Sequence, residues 1–346
     1  MDVKLFDYDL PQELIADTAV ARGESRMMVV DRKSRSIIHA QFKDLINYID
    51  DETTVVFNST KVIAARLFGK RETGGKVEFL LVKPEVDGLW EVVMKSSKRL
   101  KFGETVYFDS NLTAKIMKRD GLSVLVKFSI SDEELYSYLD RFGDVPLPPY
   151  ILKKRNETVS RPEDKERYQT VYACKPGSVA APTAGLHFSD NIMEDIGKKC
   201  DGHIEKVVLD VGLGTFLPVK SEDLTDHKMH EEHFLISEQT SGNLNEDKKS
   251  GRCILAVGTT TVRALESAAD ENGIVQASDR DTGIFIYTGY KYKFVDKILT
   301  NFHLPQSTLL MMISAFADRD LILEAYAEAV KEKYRFYSYG DCMLII

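Results

Sequence analysis

Between about residues 64 and 130 the chain presents one short β-branched or aromatic run after another, each closed by a turn signal, with no long helix between them. The runs are 65–68, 76–82, 90–94, 105–108, 112–117 and 123–128, and the turns are Gly74-Gly75, Asp87-Gly88, Asp109-Ser110-Asn111 and Asp120-Gly121. Six short strands of this kind predict a small antiparallel β-barrel, because closure removes exposed edges. The flanks read differently. A helix over 41–49 and a strand over 54–57 precede the run; buried strands at 206–211 and 253–257 and helices near 260–269, 307–317 and 321–333 follow it. The expected class is α/β: a large mixed, barrel-like domain from residues 1–61 and 146–346, with the six-stranded barrel inserted as residues 62–145. The proline-rich segment 144–150 reads as the return linker, and the charged stretch 153–166 as a solvated, mobile loop.

At 346 residues the chain is long enough for two domains and a large core. Its net charge of −8 argues against indiscriminate nucleic-acid binding but leaves room for a local basic face, such as Lys95, Lys98, Arg99 and Lys101. No apolar run approaches a membrane span, and Met1-Asp2-Val3-Lys4-Leu5 lacks the basic and apolar regions of a secretory signal. The four cysteines are scattered without Cys-x-x-Cys spacing. Together these features predict a cytoplasmic protein.

The segment from Pro176 to Phe188 packs two prolines, two glycines and three alanines with no charge, and closes on His187-Phe188. It is a poor helix or strand and too apolar for an ordinary solvated loop. Ser189 stands at the N-cap position of a helix that follows, so the segment is a small-residue turn able to approach a ligand closely, or a tight structural connection. Similar turns occur at Gly212–Phe216, at Gly258–Arg263 and at Asn301–Thr308, the last holding His303. A histidine trio, His227, His230 and His233, spreads over most of a helical turn and does not converge as metal ligands would, which leaves His230 as the better site candidate. There is no Gly-x-Ser-x-Gly elbow, no Walker loop and no dinucleotide fingerprint, since Leu217 occupies the third glycine position.

Several long, compositionally odd stretches resemble the S-adenosylmethionine:tRNA ribosyltransferase-isomerase family of queuosine biosynthesis. They are Phe6–Pro11, Arg167–Tyr172, the small-residue turn ending His187-Phe188, Val211–Phe216, Asp226–His230, Ala256–Thr260, Val262-Arg263 with Leu265–Ser267, Thr300–Pro305 and Glu332–Phe336. The resemblance spans nearly the whole chain and implies a two-domain build with an inserted six-stranded barrel. The chain departs from the family pattern at Ser59 and Lys61, where Asp and Arg are usual, and at Leu217, Gly283, Thr288 and Gln306. Lys61 keeps charge but loses the bidentate fork of arginine.

The resemblance implies that the ribosyl part of S-adenosylmethionine, a co-substrate, moves onto 7-aminomethyl-7-deazaguanine at the wobble position of a tRNA anticodon loop. Adenine and methionine leave, and the sugar becomes an epoxycyclopentanediol. A base must take the acidic 5′ proton beside the sulfonium, and a donor must protonate departing adenine; no metal or redox cofactor and no membrane is involved, and a monomer is expected. The expected acid–base groups are His187, with His230 and His303, whose ordinary pKa lies near working pH. Thr259, Thr260 and Arg263 are expected at the methionine carboxylate, Thr183, Gly185, Gly214 and Thr215 in the substrate pocket, and Arg66 at an anion. Phe188 and Tyr172, with Phe216, are expected near the sulfonium or in the core. Lys95, Lys98, Arg99 and Lys101 are the expected tRNA contacts. Two competing readings are an ordinary methyltransferase, which would leave S-adenosylhomocysteine, and a non-catalytic RNA-binding module.

Overall fold

The computed structural model describes residues 2–109, 111–120, 123–212, 224 and 229–346. The chain divides into two compact units. The first comprises Met1–Thr60, Gln169–Lys175 and Ala181–Ile346, and the second Lys61–Tyr168 and Pro176–Ala180.

The first unit is built on a mixed sheet. Among the described residues nine strands pair in the order Ser278–Thr282, Glu232–Ile236, Ile204–Leu209, Thr53–Asn58, Cys253–Val257, Lys297–Asn301, Cys342–Ile345, Arg26–Asp31 and Ser36–Gln41. This is the large mixed sheet expected of the α/β domain; among the described residues Ser278–Thr282 and Ser36–Gln41 stand at its two ends. Its four middle strands, from Ile204–Leu209 to Lys297–Asn301, run parallel. Parallel strands need cover on both faces, and the sequence supplies it: every residue of Thr53–Asn58 is buried. One face packs Met27, Val29, Val55, Phe57, Leu255, Val257 and Leu299 against Phe42, Leu45, Phe188 and Ile196. Those partners come from the 3₁₀ segment Phe42–Tyr48, the turn Thr183–His187 with its following Phe188, and the helix Asp190–Lys199, which Ser189 caps as expected. The helix Thr259–Ala268 packs against the three middle strands that begin at Ile204, Thr53 and Cys253.

The second unit holds the closed barrel, in the order Ser123–Phe128, Leu89–Ser96, Lys76–Glu85, Arg66–Arg71, Thr105–Tyr107 and Thr113–Asp120. Strict alternation sends Val77, Phe79 and Leu81, Trp90, Val92 and Met94, and Val124, Val126 and Phe128 inward. The unit also keeps residues 146–168, which the sequence had returned to the large domain. The charged stretch read as a solvated loop is folded: helices Pro149–Arg155 and Asp164–Arg167 flank it, and Arg155 and Asp164 form a buried pair at 2.6 Å. Reciprocal charges close in sequence satisfied one another there, and burial followed.

The chain's single tryptophan, Trp90, is buried in this unit and donates from Nε1 to Asp132 in the first turn of the helix Asp132–Phe142 at 2.8 Å. Gly143 ends that helix with no room for a side chain: a Cβ there would stand 2.0 Å from the Ala64 carbonyl oxygen. Gly143→Ala is expected to destabilise the second unit by about 1–3 kcal/mol. Trp90 emission followed through a urea titration checks this; an unchanged midpoint would contradict the close approach.

Candidate active site at the strand ends

The polar residues that matter lie where the parallel strands finish, the usual place for a ligand crevice in an α/β sheet. Asn58 ends one of the four middle strands, Thr53–Asn58. Its Nδ2 donates to the Leu209 carbonyl at 2.9 Å and to Thr260 Oγ1 at 3.1 Å, while its Oδ1 accepts from the backbone of Leu209 and of Thr60. One buried carboxamide therefore joins three chain segments. Thr60 Oγ1 donates to Asp210 Oδ1 at 2.6 Å. Burial raises the Asp210 carboxyl above its usual range, against the hydrogen bond from Thr60 and the charge of His233.

Thr259 and Thr260 open the helix Thr259–Ala268, and among the described residues no side chain caps that N-terminus. Its first N–H groups and its dipole face the same strand ends. Arg263, one turn in, is paired with Glu232, and both are almost wholly buried. Glu232 also accepts from the Gly212 backbone at 2.9 Å. The expectation that Arg263 waits for a carboxylate is therefore corrected: its charge is balanced within the protein, and the pair anchors the helix start beside Gly212.

The small-residue turn adopts a 3₁₀ conformation over Thr183–His187. Gly185 is required there, since a Cβ would stand 2.0 Å from the Tyr172 hydroxyl and 2.7 Å from Thr170 Cγ2. Both hydroxyls, Tyr172 Oη and Thr170 Oγ1, are buried without a hydrogen-bond partner among the described residues. Burial pushes the Tyr172 phenol well above its ordinary value. Thr183 is half-buried, and Ala184 faces Gly258, whose added Cβ would meet it at 3.7 Å. Arg22 holds the turn by donating to the carbonyls of Leu186 at 3.0 Å and Gln169 at 2.7 Å. Phe188 is fully buried, edge-on to Phe42 at 4.9 Å and Phe57 at 5.1 Å, which makes it a core residue.

The three expected imidazoles do not form one group. Asn301 Nδ2, identified as nitrogen by the Tyr337 and Asp341 carbonyls, lies 3.2 Å from His187 Nε2. Nε2 therefore accepts, and Nδ1 carries the proton and donates to Ser25 Oγ at 2.8 Å. His303 Nε2 meets Thr300 Oγ1 at 2.9 Å, its N–H donates to Tyr326 Oη at 2.8 Å, and its carbonyl accepts from Tyr8. Thr300 and Asn301 are successive residues of one strand, so the side chains that hold the two histidines point to opposite faces. His230 is exposed. Gly214, Thr215, Phe216, Leu217 and His227 lie outside the described residues.

In the second unit, Arg66 donates to Glu78 at 2.8 Å and to Asp144 at 3.3 Å, so it too is balanced internally. Lys95, Lys98, Arg99 and Lys101 are all exposed. Sequence reasoning passed over Asn58, Thr60, Asp210, Glu232 and Asn301. The signal for two of them was present: the runs Thr53–Asn58 and Lys297–Asn301 each end a buried strand on asparagine.

A family profile described as queuosine biosynthesis protein matches residues 3–345. A relative from Sulfurihydrogenibium sp. is 48% identical over all of both chains, and one from Fusobacterium nucleatum is 49% identical over 98% of this chain and 95% of its own. Both are called S-adenosylmethionine:tRNA ribosyltransferase-isomerase. Among solved structures, an S-adenosylmethionine tRNA ribosyltransferase from Thermotoga maritima is similar at 33% identity and a TM-score of 0.54, over 99% of this chain and 100% of that one.

Burial lowers the His303 pKa from about 6.5 to about 3. The folded protein then refuses a proton that the unfolded chain accepts. Stability is complete above pH 6.5 and falls by up to about 1.4 kcal/mol per pH unit as pH drops toward 3. His303→Gln is expected to flatten the part of that slope owed to His303. Urea midpoints from pH 7 to pH 4 read it, and identical slopes in both proteins would show that the imidazole titrates freely.

Proposed function

The chain belongs to the queuosine biosynthesis protein family, and from that premise we propose that it moves the ribosyl part of S-adenosylmethionine onto a 7-aminomethyl-7-deazaguanine at the wobble position of a tRNA anticodon loop, isomerising the sugar as adenine and methionine leave. It is an enzyme, a transferase and isomerase acting on tRNA with S-adenosylmethionine as ribosyl donor. The full-length relationship at 48–49% identity is the observation that supports this most directly. The polar cluster at the ends of the parallel strands supports it chemically. No described helix is long and apolar enough to cross a membrane, and the reading has the protein working in the cytoplasm as a monomer. The reaction as written needs neither metal nor redox cofactor.

The cluster divides the work as follows. The uncapped N–H groups of Thr259 and Thr260 receive the methionine carboxylate, with the helix dipole adding to the attraction. Arg263 and Glu232 hold that helix end in place. Asp210, a carboxyl that keeps its proton to higher pH than usual, protonates departing adenine, and Thr60 orients it. His230, exposed two residues before Glu232, takes the 5′ proton. His187 and His303 position the end of the Lys297–Asn301 strand, and the small-residue turn around Gly185 closes against the ligand. Lys95, Lys98, Arg99 and Lys101 meet the tRNA phosphates.

Two measurements test this. Purified protein, S-adenosylmethionine and tRNA bearing the aminomethyl base are expected to yield free adenine and a nucleoside heavier by the rearranged sugar, read by mass. Formation of S-adenosylhomocysteine would turn the reading to a methyltransferase, and tRNA binding without adenine release to a non-catalytic module. Asp210→Asn is expected to slow adenine release by about 10²- to 10⁴-fold. Turnover within a factor of two of the parent would remove Asp210 from proton transfer.

A further inference from the structure

The outer surface of the small barrel is built unlike an ordinary solvated sheet face. Side chains alternate along each strand, so Phe68 and Lys70, Lys76 and Glu78, Lys95, and Tyr107 point outward while Leu67, Val77 and Val106 point in. The ladder registers arrange them in two rows. Lys70 stands opposite Lys76 on one side and Tyr107 on the other. Phe68 stands opposite Glu78, which in turn stands opposite Lys95.

Three properties of these rows point to a polyanion with flat apolar faces. First, Lys70 directly opposite Lys76 is a like-charge pair, which costs stability, and no ion pair to an acid is formed by either among the described residues. Second, the one acid in the rows, Glu78, is already held by Arg66 at 2.8 Å and Lys95 at 3.4 Å. Third, two rings stand in the open beside these cations, Phe68 at 45% exposure and Tyr107 at 43%. Arg66 also lies over the Phe68 ring at 5.0 Å. The patch extends further. Arg71 clamps Glu104 at 2.9 and 3.0 Å and reaches the Lys98 carbonyl at 3.5 Å. That braces the loop of Lys98, Arg99 and Lys101, with Phe102 at 75% exposure, beside the Lys70 row.

We propose that this outer face is a base-stacking platform for unpaired nucleotides of the tRNA. Phe68, Tyr107 and Phe102 take base faces, while Lys70, Lys76 and the Lys95–Lys101 loop take phosphates. The proposal rests on the tRNA reading above and adds to it a mode of recognition. Base faces are free only in unpaired segments, since in a duplex they are stacked on one another. Rings interleaved with cations suit single strands of any sequence, because every base has a π-face. A chain with net charge −8 otherwise repels RNA, so a local positive surface is needed to hold it.

The test uses the full chain and fluorescein-labelled tRNA, with affinity measured by anisotropy at several salt concentrations and adenine release measured alongside. Phe68→Ala combined with Tyr107→Ala is expected to weaken tRNA binding by about 30-fold or more, the loss for two stacked bases, while leaving the dependence of log K on log salt unchanged. Lys70→Ala combined with Lys76→Ala is expected to weaken binding and to reduce that slope by about 1.4, the value for two contacts to single-stranded phosphate. Trp90 emission confirms that each variant keeps its barrel. A parent that turns over and binds as tightly as the aromatic variant overturns the platform and leaves the enzyme reading intact. A parent that releases no adenine, but whose tRNA affinity falls on substitution, supports the platform and overturns the enzyme reading. A parent that neither binds tRNA nor releases adenine overturns both.

Discussion

The carboxamide of Asn58 is the constraint on which the site depends. Parallel strands end with backbone groups that have no ladder partner, and in the dry interior each such group must be satisfied. Asn58 satisfies several at once, donating twice and accepting twice among Leu209, Thr60 and Thr260. It thereby sets where the strand Ile204–Leu209 ends and where the helix Thr259–Ala268 begins. The positions of Asp210 and the free helix N–H groups follow from it. A network of this kind is rigid when complete and costly when broken, because the low dielectric that strengthens each bond also penalises each orphan.

The same dielectric decides which charged side chains are available to a ligand. Arg263, Arg66 and Arg155 are each buried or nearly so, and each is matched by an acid of the same unit. A guanidinium cannot shed its proton, so burial demands a counter-charge, and the acid partner takes at least one of the nitrogens that a substrate would use. His303 escapes differently, by staying neutral. His187 is a crossbeam between Ser25 and Asn301 with both ring nitrogens engaged. Among the described residues, Lys70 and Lys76 at the barrel surface form no ion pair, and water supports their charge until a polyanion replaces it.

The two units thus solve different problems. In the first, polar groups at the strand ends are few, buried and joined around Asn58, which suits a small ligand whose reacting atoms must be held still. In the second, cations and rings are exposed and repeated along a sheet face, which suits a large partner met by its backbone and bases.

Period-two alternation made the barrel strands legible, since only the inward residues of such a strand need to be apolar. The buried strands Thr53–Asn58 and Cys253–Val257 were legible for a related reason: cover on both faces leaves an unbroken apolar run. The helix Asp132–Phe142 went unread although Ser131 and Glu134 form its capping box, and the charged segment around Arg155 looked solvated because its partner's distance in space was not visible. Local pattern, then, set the element types, the barrel and the small-residue turns, because those follow from contacts between near neighbours in the chain. Which histidine is shielded, which arginine is already paired and which asparagine joins three chain segments were decided only when distant segments met. Those properties depend on desolvation and on partners hundreds of residues away, and no local run of residues encodes either.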